Sequence, residues 1–318
     1  MIESDIKVTD LEYYKVGTDD CEIYLGETKL YPLSEPVYDT QYLTFRVASS
    51  GYVGWSGSTT ANTLSYSTDS GSTWSTPSSS FTVNVNVGST VMWKGQCVPV
   101  DVTSGIGSFH TSPFVSEALV FSAEGNIMSL LFGDNFSGQT SLSGLSGAFS
   151  ELFDNTYKLA NAKNLKLPAT TLSNYCYSNM FHNCNFLATA PELPATELQP
   201  GCYHGMFAAT AIVSAPELPA TTLVAGCYEN MFKSCFNLTK SPLLPASTVQ
   251  RQSYYNMFSD CTSLNEVTCL ATNISAVMST TDWLYGVAST GTFYKDPNMT
   301  SWTSGASGIP DNWTVQDY

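Results

Sequence analysis

Between residues 150 and 285 the apolar positions of the chain fall into a repeating order. The pairs Leu152-Phe153, Met180-Phe181, Met206-Phe207, Met231-Phe232 and Met257-Phe258 recur at steps of 28, 26, 25 and 26 residues, and Trp283-Leu284 follows 26 further on. Pro168, Pro194, Pro219 and Pro245 keep the same beat, as do Cys176-Tyr177, Cys202-Tyr203 and Cys227-Tyr228, with Ser253-Tyr254 closing that series. Agreement among so many columns identifies a repeat architecture of period about 25–26.

Spacing inside a repeat predicts its parts. Cys227 and Met231 are four apart, and so are Tyr228 and Phe232, which on a helix makes one broad apolar stripe. The helix must be short: Pro200 suits a first helical position, and Asn183, Thr210, Asn237 and Thr262 mark a turn just after the Met-Phe pair. The next segment, APELPAT at 190–196 and again at 215–221, is held extended by its prolines. Each unit therefore reads as helix, turn, extended segment. One unit of about 25 residues buries too little apolar surface to offset the entropy of ordering it, so neighbouring units must stack into a solenoid with a shared interior.

Upstream, the alternation in YLTFRV, FTVNVNV and STVMWKG predicts short strands separated by Gly, Ser and Asn turns, as in a small β-sandwich over residues 39–115. Earlier still, CEIYLGETKLYP (Cys21 to Pro32) reads as two strands around Gly26-Glu27. The expected organisation is multidomain. An acidic N-terminal hairpin (1–38) precedes a small all-β module (39–115), a transition and N-terminal cap (116–150), an α/β leucine-rich-repeat solenoid (151–285) and an irregular C-terminal cap (286–318).

Composition narrows the functions. Lys and Arg total 12 against 27 Asp and Glu, a net charge of −15 without a basic run, which argues against a nucleic-acid backbone as partner. Charged residues are only 12% of the 318, about half the usual share, so most of the surface must be neutral and polar. Residues 1–40 hold ten acidic residues against Lys7, Lys15 and Lys29. No apolar run is long enough to span a bilayer, and the first 30 residues contain no secretory signal; a complete product of this kind is expected to be neither membrane-inserted nor exported by the usual route.

The candidates for chemistry are few. Six of nine cysteines occupy two repeat columns (Cys176, Cys202, Cys227 and Cys184, Cys235, Cys261), where a small buried hydrophobe is the natural role. There is no CxxC, and His110, His182 and His204 stand in unrelated contexts, so neither a metal nor a cofactor is expected. Glu192 and Glu217 share a column, and on adjacent coils they could approach the roughly 5 Å separation of a retaining glycosidase. Against that, the next copy has Leu243, and like charges on an open face would simply be solvated. The C-terminal Tyr294, Trp302 and Trp313 read either as a cap over the last coil or as an aromatic platform for glycans.

Three resemblances add to this reading. Ser67 to Trp74 resembles the Asp-box of sialidases, but it occurs once and the chain has only Arg46 and Arg251, so it is read as a hairpin turn. The frame Tyr-x-x-Met-Phe-x-x-Cys-x-x-Leu, at Tyr228 to Leu238 and Tyr254 to Leu264, resembles the BspA-type leucine-rich repeats of Bacteroides proteins and their phages, with Met-Phe where those carry Ala-Phe and a Pro-rich strand. The hairpin with Tyr24, Leu25, Leu30 and Tyr31 is similar to those near the start of phage tail proteins, and Gly291 to Phe293 with Gly308 to Trp313 is similar to their ends.

These resemblances imply a non-enzymatic virion protein, a fibre, tail or capsid decoration. Its N-terminal hairpin would join other virion proteins, and its repeats would adhere to a host glycan or protein. An exported bacterial adhesin is the alternative, and a glycoside-active enzyme the third. A homo-oligomer such as a trimer fits the same setting, although no heptad repeat specifies one.

Overall fold

The computed structural model describes residues 13–16, 21–25, 28–31, 38–56, 64–96, 114–117 and 119–318, with backbone alone for those before 38. The strands of the first 37 residues form a unit of their own: β1 (Tyr13–Val16), β2 (Cys21–Leu25) and β3 (Thr28–Tyr31) make an antiparallel sheet in that order. Tyr24 pairs with Tyr13 on one side and Lys29 on the other, so the two strands read from CEIYLGETKLYP are present.

The second unit, residues 38–318, opens with two small sheets. In the first, β4 (Leu43–Val47) lies antiparallel to β8 (Thr90–Gly95), which also pairs with β6 (Leu64–Ser67). In the second, β5 (Gly51–Trp55) runs between β7 (Phe81–Val85) and β9 (Phe114–Glu117). Their inward residues meet in an aromatic cluster: the Phe114 ring lies 4.8 Å from Phe45, 5.0 Å from Trp93 and 5.1 Å from Trp55.

The first sheet does not end at this module. Strand β10 (Phe121–Asn126) pairs antiparallel with β4 and parallel with β11 (Leu159–Asn161) and β12 (Leu165–Lys166), which belong to the first coil of the solenoid. Phe114 stacks on Phe153 at 5.6 Å, so the β-module closes one end of the solenoid interior.

That interior is a set of columns. Phe153, Phe181, Phe207, Phe232 and Phe258 stack ring on ring at 5.5, 5.5, 5.8 and 5.5 Å, within 6° of parallel. Beside them Tyr177, Tyr203, Tyr228, Tyr254 and Trp283 form a second stack, continued by Trp302 at 5.4 Å. The Met, Cys and Leu columns are buried alongside. On the far wall the prolines stand between buried neighbours, as Pro194 does between Leu193 and Ala195, which is the alternation of an extended segment.

The helix expected in each unit is not there. Among the described residues helix is confined to Ser129–Phe132 and two short 3-10 turns, and the Cys-Tyr to Met-Phe segments are runs of overlapping turns. In these runs alternate amides divide their work. Met206 N–H donates to Tyr203 three residues back at 3.2 Å, whereas Phe207 N–H donates to the carbonyl of Met231 in the next coil at 2.9 Å. The bonds from Phe153 to Met180, Phe181 to Met206, Phe232 to Met257 and Phe258 to Trp283 repeat that 2.9 Å length.

Every fourth residue takes a left-handed conformation to permit this: Gly201, Gly205 and Ala209 in one coil, Gly226, Asn230 and Ser234 in the next, then Gln252, Asn256 and Asp260. A four-residue spacing of apolar side chains is thus compatible with a turn ribbon as well as a helix. The glycines and asparagines at every fourth place decide between them, because they bear a positive φ at least cost.

The C-terminal segment also differs from an irregular cap. Strands β13 (Lys240–Leu244), β14 (Glu266–Cys269), β15 (Thr292–Lys295) and β16 (Thr314–Asp317) form one parallel sheet, so residues beyond 286 continue the solenoid wall. The protein is mostly β and ends in a β-solenoid.

Two substitutions test the ladder by denaturation of the full chain. Phe207→Ala removes one ring from the middle of a stack and should cost about 3–5 kcal/mol. Gly201→Ala should cost about 1–2 kcal/mol from its left-handed backbone (φ 65°), and its added carbon would meet the Tyr175 ring at 2.6 Å.

Candidate functional site

The turn ribbon gives each coil a four-residue rhythm: one left-handed residue, two that enter the interior, and one that turns away from the stacked rings, although Asp154, Ser178, Ala208 and Ser259 at this place are covered by neighbouring residues. Two columns of outer residues run along the solenoid. One holds Ser150, Ser178, His204, Glu229, Tyr255 and Thr281, the other Asp154, His182, Ala208, Lys233, Ser259 and Tyr285. Inner columns repeat nearly the same side chain, whereas these change from coil to coil.

On this face the fold assembles an ionisable cluster that the sequence reading scattered. Asp154, buried in the first coil, holds His182 of the second through a 2.8 Å contact between Oδ1 and Nδ1, and its other oxygen accepts a 2.8 Å bond from Asn155. His204 of the third coil lies with Nε2 at 3.8 Å from Glu229 Oε1 and 3.4 Å from Asn230 Nδ2, both in the fourth. Burial pushes the His204 pKa down and the charge of His182 adds to that. Burial likewise pushes Glu229 up, opposed by Arg251 of the fifth coil.

The result is a diagonal strip of acid, imidazole, imidazole, acid and guanidinium. His182, His204 and Glu229 are part-exposed and offer donors and acceptors to a polar ligand, whereas Asp154 is buried with both oxygens bonded and orients His182. Among the described residues no group of three or more His, Cys, Asp and Glu is arranged to hold a metal ion. His182 and His204 sit 22 positions apart in the chain, and only the coil-to-coil register would have shown them as neighbours.

The residues singled out from sequence lie as follows. Trp313 is buried with its ring N–H donating to Ala288 at 2.8 Å, and Trp302 is half-buried and stacked on Trp283, so both seal the last coil. Tyr294 is half-exposed on β15, paired with Thr268 and Gln316. Glu192 is exposed and pairs at 3.6 Å with Lys166 of the preceding coil, and Glu217 is exposed on its own coil. Tyr24 and Leu25 lie in β2, and Leu30 and Tyr31 in β3, but their side chains fall outside the described residues.

The seven described cysteines are all buried and unbridged. Burial raises their thiols, to about 11 for Cys227 and Cys235 and about 12 for Cys269. The column at the end of each ribbon also ties coils together, since Cys184, Cys235 and Cys261 donate S–H to the carbonyls of Phe153, Phe207 and Phe232 at 3.0, 3.1 and 3.0 Å. The Asp-box segment is a turn: the Asp69 carboxylate accepts from Ser67 and from the amide and hydroxyl of Thr73, which holds its pKa down at about 2. Trp74 of that turn packs against Tyr42 and under the Lys94 ammonium.

No protein-family model matches the chain, and neither a curated protein nor a solved structure matches it. No helix among the described residues is long and apolar enough to cross a membrane.

The cluster predicts a pH response with a definite sign. His204 in the folded chain binds a proton less readily than its ordinary value of 6.5, so the unfolded chain protonates first as the pH falls. Stability from this residue is full above 6.5 and is lost as the pH drops from there towards the lower folded value. Thermal denaturation across pH 7 to 5 should therefore show a steeper acid loss for the wild-type chain than for His204→Gln, about 7 and 5 marking the ends of the histidine range.

Proposed function

We propose that this chain is a non-enzymatic structural protein of a phage virion, displaying its solenoid as an adhesive surface towards host-cell glycans or proteins. The observation that carries the reading is the division of each coil: the interior columns repeat, while the outer columns run Ser, Ser, His, Glu, Tyr, Thr and Asp, His, Ala, Lys, Ser, Tyr. A scaffold of this kind lets outer residues vary freely, because each contacts only its neighbours in the adjacent coils. The sparse charge of the chain favours a neutral, hydroxyl-rich partner over a polyanion. Attachment to the particle is assigned to the three-stranded sheet of β1, β2 and β3, whose outer strands carry backbone groups suited to strand addition.

Two measurements test this reading. Antibodies against the solenoid should decorate purified particles by electron microscopy, and the labelled full chain should bind host cells of the Bacteroides type in a saturable way. Absence of the chain from particles would remove the virion assignment, and failure to bind any such cell would remove adhesion.

A further inference from the structure

The polar strip of the turn ribbon carries bonding capacity that the fold leaves unused. The Glu229 side chain is only 22% exposed, yet its carboxylate accepts no hydrogen bond among the described residues; Oε1 lies 3.8 Å from His204 Nε2, too far for one. His182 gives Nδ1 to Asp154, and Nε2 on the far side of its ring is left without a partner among the described residues. Arg251 acts on Glu229 through charge alone. A carboxylate that has lost most of its water without gaining a donor is costly to the fold, and a ligand that brings a donor removes that cost.

The surroundings of Glu229 are assembled from three coils. Gly201 and Gly226 are successive members of one left-handed column, joined by the Gly201 amide donating to Ala225. A carbon added at Gly201 would lie 2.6 Å from the Tyr175 ring, and one added at Gly226 would lie 3.3 Å from Glu229 Oε2. Tyr175 of the second coil thus lays its ring over the third, and Glu229 turns its carboxylate back towards the same column in the fourth. His204 stands between that column and Gly205, over which Asn179 extends its amide, and Asn230 Nδ2 approaches His204 Nε2 at 3.4 Å. A part-exposed ring, an imidazole, a carboxylate and two amides converge there, the mixture of one apolar face and a few polar groups that orients a small ligand.

Charge decides against an ion. The carboxylates of Asp154 and Glu229 are matched by Arg251 and by Lys233 of the other outer column, so with neutral imidazoles the formal charge of the strip is zero, and a charged ligand meets its own sign as well as the opposite one. The remaining fit is a neutral molecule whose groups both donate and accept at close spacing. Hydroxyls donate to Glu229 and accept from the asparagine amides, and a face of C–H groups covers the Tyr175 ring. A pyranose has both.

We infer that Tyr175, His204 and Glu229 bound a seat for one neutral sugar residue, with Asp154 positioning His182 at its edge. This rests on the adhesive reading above and names its contact site. The test titrates the full chain with the methyl glycosides of glucose, mannose and galactose and follows the imidazole signals by NMR, which three histidines keep resolvable and His182→Gln and His204→Gln assign. The His204 signal should move saturably with at least one glycoside, and Glu229→Gln and Tyr175→Ala should each weaken binding about tenfold. Glu229→Gln preserves side-chain shape and carries the test if Tyr175→Ala does not fold; Glu192→Gln, on the proline wall, should change nothing. Binding that survives both seat variants overturns the seat. A response to methyl glucuronide or methylammonium, with none to the neutral glycosides, overturns the ligand class. If no glycoside moves the signal while the chain still adheres to host cells, the seat falls and adhesion stands. A chain that adheres to no cell refutes the adhesive reading, and a saturable signal weakened in the seat variants still upholds the seat.

Discussion

The structure depends on how the turn ribbon shares out its backbone amides. Half of them close turns within a coil, and the other half reach the carbonyls of the next coil at near-constant length, as the series from Phe153 to Phe258 shows. That division fixes the separation of coils and brings each phenylalanine and tyrosine directly over its predecessor. Ring stacking and burial then act at every step, so the backbone ladder and the side-chain columns reinforce one another. Neither would persist in a single coil, which lacks both the partner carbonyls and the covering rings.

A stack of this kind has two ends that must be closed. At one end Phe114, with Phe45 and Trp93 behind it, lies over Phe153, so the β-module is part of the solenoid core. At the other, Trp302 and Trp313 occupy the place a further coil would take. Large aromatic residues at a terminal coil therefore need not mark a binding platform. Here Trp302 completes the interior with its flat face and Trp313 with a ring N–H bonded to the Ala288 carbonyl.

Freedom at the surface follows from the same rigidity. Outer residues make few demands on the fold, so acid, imidazole and guanidinium groups can gather in a diagonal from Asp154 to Arg251, and the third coil can carry a one-residue deletion at its corner without disturbing the columns beneath. The deletion lies between Phe207 and Ile212, and both remain fully buried.

Periodicity alone established that residues 150 to 285 form stacked units with Phe, Tyr, Met, Cys and Leu inside, because a one-dimensional repeat must place equivalent side chains in equivalent surroundings. It also located the strands of the β-module and the short hairpin, whose alternation and turn residues are local signals. What it could not decide was the local geometry of the four-residue spacing. Helix and turn ribbon put Cys227 and Met231 on the same side, and the distinguishing mark, a left-handed backbone at Gly226 and Asn230, gains its purpose only when the neighbouring coil supplies the acceptors Arg251 and Tyr255. Tertiary structure likewise decided that His182 meets Asp154 and lies one coil from His204, that Trp313 is interior, and that residues beyond 286 add strands to the wall. Each depends on which coil lies against which, and that register is a property of the stacked chain.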